Sequence, residues 1–200
     1  MDLAILAATF GAILVVELPD KTFIAALVLS TRYRPLAVWI GVGIAFGVQT
    51  LVAVSVGTLA TLLPDVVLKG IAIVIFLVGA VVLLRTAAEA DAAEKEQEEE
   101  YAAAASEPKS FVKAAIASFL VLFAAEWGDL SQLLTISMIA RYGHPVSVFL
   151  GAWSALLVVS GLAVLSGRVL LNHVRLSSIH YLGAAVCLVL AAVTAVELIR

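Results

Sequence analysis

The residues of this chain that could do chemistry lie in two short stretches. Glu126-Trp127-Gly128-Asp129-Leu130-Ser131-Gln132 interrupts an otherwise apolar run from Phe111 to Met138, and Glu17-Leu18-Pro19-Asp20-Lys21-Thr22 lies upstream in another. In each stretch a Glu precedes an Asp by three positions, the spacing that puts both on one face of a helix. A carboxylate pair in a membrane-spanning helix is costly, so it faces a partner, a cavity or an ion. Interhelical ion pairing alone does not account for the charge. Glu17, Asp20, Glu126 and Asp129 carry −4 when ionised, and Lys21 returns only +1. A residual −3 in low dielectric is untenable, so these groups bind protons or hold a cation. Hard oxygen ligands suit Ca2+, Mg2+ or Mn2+ rather than soft metals. Thr22, Ser131 and Gln132 can add neutral oxygens. Pro19 has no N–H, which frees the carbonyl of Val15 as a further candidate and predicts a kinked or unwound helix there. Pro19 and Gly128 are the expected helix breaks. Lys21 is an internal counter-ion or snorkels to the interface. Its counterpart is the apolar Leu130, so the two copies are electrically unequal.

The surrounding sequence reads as membrane spans. Of 200 residues 63% are hydrophobic and 14% charged, with mean hydropathy +1.12, whereas soluble domains carry about 25% charged residues. With the long apolar runs this predicts an all-α polytopic membrane protein. No basic patch with interleaved aromatics supports nucleic-acid binding. Cys187, the single cysteine, lies in an apolar run and reads as packing. Met1-Asp2-Leu3 lacks the positive start of a signal peptide, so the first run is read as a mature span.

Six spans are expected: Leu3 to Ser30, Leu36 to Leu63, Val66 to Leu84, Phe111 to Ile139, Val146 to Leu171 and Ile179 to Ile199. Gly43 and Gly47 have the small-xxx-small spacing of close helix packing. Gln49 and Thr50, polar within the second span, read as helix–helix hydrogen bonders. Trp127 reads as a packing or gating aromatic. His144, His173 and His180 lie near span ends without metal-ligand spacing, and Glu197 sits near a helix end, where it can snorkel. The acids of Thr86 to Ser110 lie among alanines, the composition of a solvated and partly helical linker.

The halves match beyond the carboxylates. Arg32-Tyr33 pairs with Arg141-Tyr142 at an offset of 109, and Pro35, Gly41 and Gly57 pair with Pro145, Gly151 and Gly167 at 110. Residues 1–86 then form a first three-helix repeat, 87–110 the acidic linker and 111–200 a second repeat. An odd number of spans per copy gives opposite orientations, the inverted repeat of many secondary transporters, with the site near midplane. Eight Lys and Arg residues fall on the side of the first, third and fifth connections, against Lys69, Arg141 and Arg200 on the other. That bias puts the linker in the cytoplasm and both termini outside.

Twin Glu-x-Gly-Asp-(Lys/Arg)-(Ser/Thr) motifs, each opening a three-helix half and joined by an acidic loop, resemble the manganese/calcium–proton exchanger family. It includes bacterial MneA-type manganese exporters and Golgi manganese/calcium antiporters. Glu17, Asp20, Lys21 and Thr22 match the first copy, with Pro19 in place of glycine. Glu126, Gly128, Asp129 and Ser131 match the second, with Leu130 in place of the basic residue. The resemblance covers nearly the whole chain. It implies a transporter rather than an enzyme, which exports Mn2+, with Ca2+ the nearest alternative, in exchange for protons. The four carboxylates bind the ion, and no cofactor is needed beyond the transported metal. The partners implied are the metal ion, protons and the lipid bilayer, with homo-oligomerisation left open. Eukaryotic members usually carry an extra N-terminal segment, so the chain looks like a bacterial plasma-membrane protein. The competing classes are an exporter of an organic solute such as an amino acid, a structural membrane subunit, and an intramembrane aspartyl protease using Asp20 and Asp129. Four buried carboxylates fit a metal better than a zwitterion, and the sequence contexts expected of such a protease are absent.

Overall fold

The computed structural model describes residues 1–18, 21–87, 99–103, 110–125, 127–171 and 176–199. Eight helices carry these residues: α1 (Leu3–Glu17), α2 (Lys21–Arg32), α3 (Pro35–Ala60), α4 (Asp65–Ala87), α5 (Phe111–Ala125), α6 (Leu130–Tyr142), α7 (Pro145–Leu171) and α8 (Leu176–Ile199). Residues 99–103 of the linker are also helical, and Tyr101 there is buried. Residues 88–98 and 104–109 of the linker lie outside the described residues.

Local chemistry sets the helix ends. Asp2 caps α1, its carboxylate accepting from the amides of Ala4 and Ile5, which otherwise have no partner within the helix. α3 and α7 each open on a proline, Pro35 and Pro145, at the position where a missing N–H costs nothing. α6 ends on Gly143 in the left-handed conformation, whose amide donates to Ile139.

The first and fourth expected spans are each broken in two. α1 and α2 are bent by 70° across their break, and α5 and α6 by 71°. The second break has a visible cause. Gly128 takes φ +74°, a conformation that lacks steric penalty only without a Cβ, and the next residue caps a new helix. The expectation that each Glu and Asp share one face of a continuous helix is therefore corrected. Glu17 is the last residue of α1, and Asp129 precedes α6.

α3 and α7 are long and apolar enough to cross a membrane by themselves, and each bent pair qualifies if taken as one span. Polarity runs inside out relative to a soluble protein. Leu51, Val74 and Val189 are more than half exposed, while Thr22, Gln49, Thr50 and Thr135 are buried. An apolar exterior of this extent suits hydrocarbon, not water.

The two halves pack by reciprocal contacts: α1 lies on α7, α5 on α3, and α4 along α8. A Cβ on Gly41 would meet the backbone of Ala115, and one on Gly151 the backbone of Leu6. The closest backbone approach thus falls on Gly41 and Gly151. At Gly43 and Gly47 an added Cβ would meet only side chains, those of Leu157 and Trp153. Two indoles tie α3 to α7: Trp153 Nε1 donates to the carbonyl of Gly43 at 2.9 Å, and Trp39 Nε1 to that of Leu157 at 3.0 Å. Such bonds contribute about 0.5–1.5 kcal/mol each. Cys187 is buried and free, 3.5 Å from where a Cβ on Gly79 would lie, as packing requires.

Candidate cation site

Asp129 is the best-defined candidate ligand, because the break before α6 fixes it. As N-cap it accepts from the amide of Gln132 at Oδ1, 3.0 Å, and from the Ser131 hydroxyl at Oδ2, 2.8 Å. Each carboxylate oxygen has capacity for a second partner. The charge is thus held in one orientation by the helix N-terminus and a hydroxyl, with lone pairs to spare.

Asp129 borders a small cavity with polar side chains from two helices in its wall. Asp129, Ser131, Gln132 and Thr135 line it from the α6 side, and Gln49 and Thr50 from α3. Phe46, Ala53 and Leu156 form its apolar wall. It has room for about one water-sized particle. Thr135 lies one turn beyond Ser131, on the same face of α6, and donates to its carbonyl at 2.7 Å. Gln49 Nε2 donates to the carbonyl of Phe123 at 3.1 Å. Phe123 is in the last turn of α5, where the helix supplies no amide to that carbonyl. Gln49 thereby supports the end of the broken helix.

Glu17 is 1% exposed, at the end of α1, and does not line this cavity. Thr22 is fully buried at the start of α2. Val15 lies two residues before the α1 end, on a different groove, between α1 and α8. Asp20, Glu126, Pro19 and the side chain of Lys21 lie outside the described residues, as do His173 and the side chain of His180. Among the described residues no group of three or more Asp, Glu, His or Cys side chains is placed to hold a metal. Trp127 is 56% exposed and packs edge-to-face on Phe123 at 5.4 Å, as an aromatic at the rim. Glu197 does not simply snorkel. It pairs with Arg141 at 3.0 Å, and Arg141 also donates to Thr194 Oγ1 at 2.9 Å.

Sequence reading missed part of this site. It gave Gln49 a helix–helix hydrogen bond, which is present, but not a place beside Asp129. Thr135 was not singled out, although it stands one helical turn after Ser131 on the same face. That spacing was the available signal.

A helical chain with an apolar exterior and two broken helices is a membrane protein, with an oriented, buried carboxylate at one of the breaks. The sequence profile of the divalent cation/proton antiporter GDT1 matches it over residues 5–91 and 114–200, and the chain belongs to that family. The protein PAM71, chloroplastic, of Arabidopsis thaliana is 34% identical over 211 residues, covering 96% of this chain and 57% of the relative. A second Arabidopsis protein, PAM71-homolog, chloroplastic, is 30% identical, covering 94% of this chain and 58% of the relative. The GDT1-like protein sll0615 of Synechocystis is 28% identical over 93% of this chain and 95% of its own length. The chain thus spans a little under three-fifths of the Arabidopsis relatives and nearly all of the cyanobacterial one. No solved structure matches it.

Proposed function

We propose that this chain is a secondary transporter that exports a divalent cation in exchange for protons, with Mn2+ as the first substrate and Ca2+ as the second. The observation that carries this reading is Asp129, an oriented carboxylate on a small cavity that five other polar side chains help to line within an apolar bundle. Family membership supports it. The donor set is carboxylate, amide and hydroxyl oxygen, which suits hard divalent ions. A cavity for about one water-sized particle favours an ion over an organic solute such as an amino acid.

Under this reading Glu17, Asp20, Glu126 and Asp129 converge from the two motifs, with Thr22, Ser131, Gln132 and the Val15 carbonyl as auxiliary oxygens. Six spans in two inverted three-helix repeats, residues 1–86 and 111–200, present that site to each side in turn. The two profile matches begin at positions 5 and 114, and the carboxylate pairs at Glu17 and Glu126, so both are set apart by the same interval, which supports the duplication. From the Lys and Arg bias we assign the linker to the cytoplasm and both termini to the outside of the plasma membrane.

Exchange follows from charge. A metal-loaded site and a protonated site are both near neutral, whereas the empty ionised site would drag uncompensated charge through the membrane interior. Only the first two cross readily, so metal and protons move in opposite directions. The test is metal flux with an internal pH dye in proteoliposomes, screened across Mn2+, Ca2+ and Mg2+. An inward proton gradient should drive metal out, and apparent metal affinity should fall as pH drops, because protons compete for the same oxygens. Metal flux that neither moves protons nor responds to the gradient would overturn the exchanger and leave a channel or uniporter.

A further inference from the structure

The helix positions that face the Asp129 cavity differ in polarity from the positions aligned with them in the other half, on α3 and on α6 alike. Gln49 and Thr50 reach the Asp129 cavity from α3. Their repeat counterparts on α7 are Val159 and Ser160. Val159 has no donor atom, and the Ser160 hydroxyl donates to carbonyls of its own helix, Leu156 at 2.9 Å and Leu157 at 3.2 Å. On the broken helices, Thr135 and Gln132 of α6 correspond to Ala26 and Phe23 of α2 in the repeat alignment, both fully buried. At these four aligned positions the polar side chains that line a cavity stand on the second-motif side, and their counterparts are apolar or bonded to their own helix. The first motif instead carries Lys21 where the second has Leu130.

The Gln49 amide has a defined orientation. A backbone carbonyl only accepts, so the Gln49 atom facing Phe123 must be the NH2 group. Oε1 is then the polar atom left to the cavity that Gln49 lines. Gln49 is buried, anchored through its own nitrogen, and lines the same cavity as Asp129.

We propose that Gln49 is a ligand and specificity determinant of the transported cation, which is held off-centre at the second motif by Gln49 and Asp129. The proposal rests on the cation-transport reading above and adds to it a neutral ligand from outside both motifs. A neutral amide oxygen completes coordination of a hard ion without adding a further charge to the carboxylates already in the motifs.

Gln49 also supports the end of α5, so the test must separate ligand from strut. Gln49→Met removes both the oxygen and the N–H donor. Gln49→Glu keeps an oxygen but, when ionised, has no hydrogen to give Phe123. Mn2+ binding to the purified full chain in detergent, at alkaline pH, is read from the electron paramagnetic resonance signal of free Mn2+, with Ca2+ and Mg2+ as competitors. The expected result for Gln49→Met is about tenfold weaker binding, the size of one charge-assisted contact. In proteoliposomes its KM should rise with the maximal rate preserved. Gln49→Glu should bind at least as tightly as the wild type and change the order of the competitors. Equal loss in both variants makes Gln49 a strut and overturns the proposal. So does unchanged binding in Gln49→Met, or a wild type that binds no divalent ion. A wild type that binds Mn2+ through Gln49 yet moves no protons removes the exchanger reading and leaves this ligand in place.

Discussion

Gly41 on α3 lies against the backbone of Ala115 on α5 so closely that a Cβ would fall on the Ala115 carbonyl. The same contact recurs between Gly151 and Leu6, their equivalents in the repeat alignment. The two half-helices that lead to the motifs are thus seated on the long helices of the opposite half by one repeated device. Because the obstruction is backbone, no rotamer change relieves it. Gly41→Ala and Gly151→Ala should each cost about 1–3 kcal/mol, seen as a lowered unfolding temperature in detergent. Gly11→Ala is the control, since nothing lies within 4 Å of its Cβ. A loss at Gly11 equal to that at Gly41 would show that helix approach is not what is being read.

Asp129 caps a helix and, in the proposed function, binds the ion. Asparagine caps a helix about as well as aspartate but has no charge. Asp129→Asn should therefore keep the folded yield and unfolding temperature while lowering metal transport by at least about a hundredfold, equivalent to about 2.7 kcal/mol. Asp20→Asn and Glu126→Gln should lose transport likewise. Retained transport in Asp129→Asn would reduce that residue to a cap.

Ser131 steadies the carboxylate through its 2.8 Å hydrogen bond to Oδ2. A hydrogen bond to a charged group contributes about 1.5–3 kcal/mol when buried. In Ser131→Ala the Asp129 carboxylate keeps only its amide partner. KM for metal should rise by about tenfold, and the unfolding temperature should fall as the buried bond is lost. Unchanged KM would mean that the amide of Gln132 alone orients the carboxylate.

The Arg141 side chain is 5% exposed and Glu197 46%. Arg141 also stacks over the Tyr142 ring, with 5.0 Å to the centroid, and bonds Thr194, so it ties the end of α6 to α8. Arg141→Gln should destabilise by about 1–3 kcal/mol, because buried partners are left behind. Glu197→Gln should cost under about 1 kcal/mol and leave transport intact, since its side chain is nearly half in solvent or headgroups. The two variants are compared by thermal unfolding in detergent. Equal destabilisation would assign the effect to the ion pair itself.

Topology is tested with an impermeant thiol reagent on intact cells, using single cysteines at Glu98 and Arg200 in a Cys187→Ala background. The charge bias predicts labelling at 200 and none at 98. The reverse pattern would invert the orientation.

Much of this protein was legible in the sequence because the signals are local. Long apolar runs require helices in a lipid-like setting, since each helix satisfies its own backbone. Gly128 and Asp129 spell out a break and a cap at adjacent positions, and the twin motifs mark the family. What the sequence left open depends on which surfaces meet. Arg32 and Arg141 sit in the same Arg-Tyr pair, yet Arg32 is exposed while the side chain of Arg141 is held against α8 by Thr194. Gln49 and Phe123 are 74 residues apart, and nothing near either predicts their hydrogen bond. Periodicity tells a residue which face of its own helix it occupies. The partner of that face is set by the packing of one half on the other, where glycines admit close approach and indoles fix the register. Tertiary structure alone therefore decided that a carboxylate of the second motif shares its cavity with an amide and a hydroxyl from the first half of the chain.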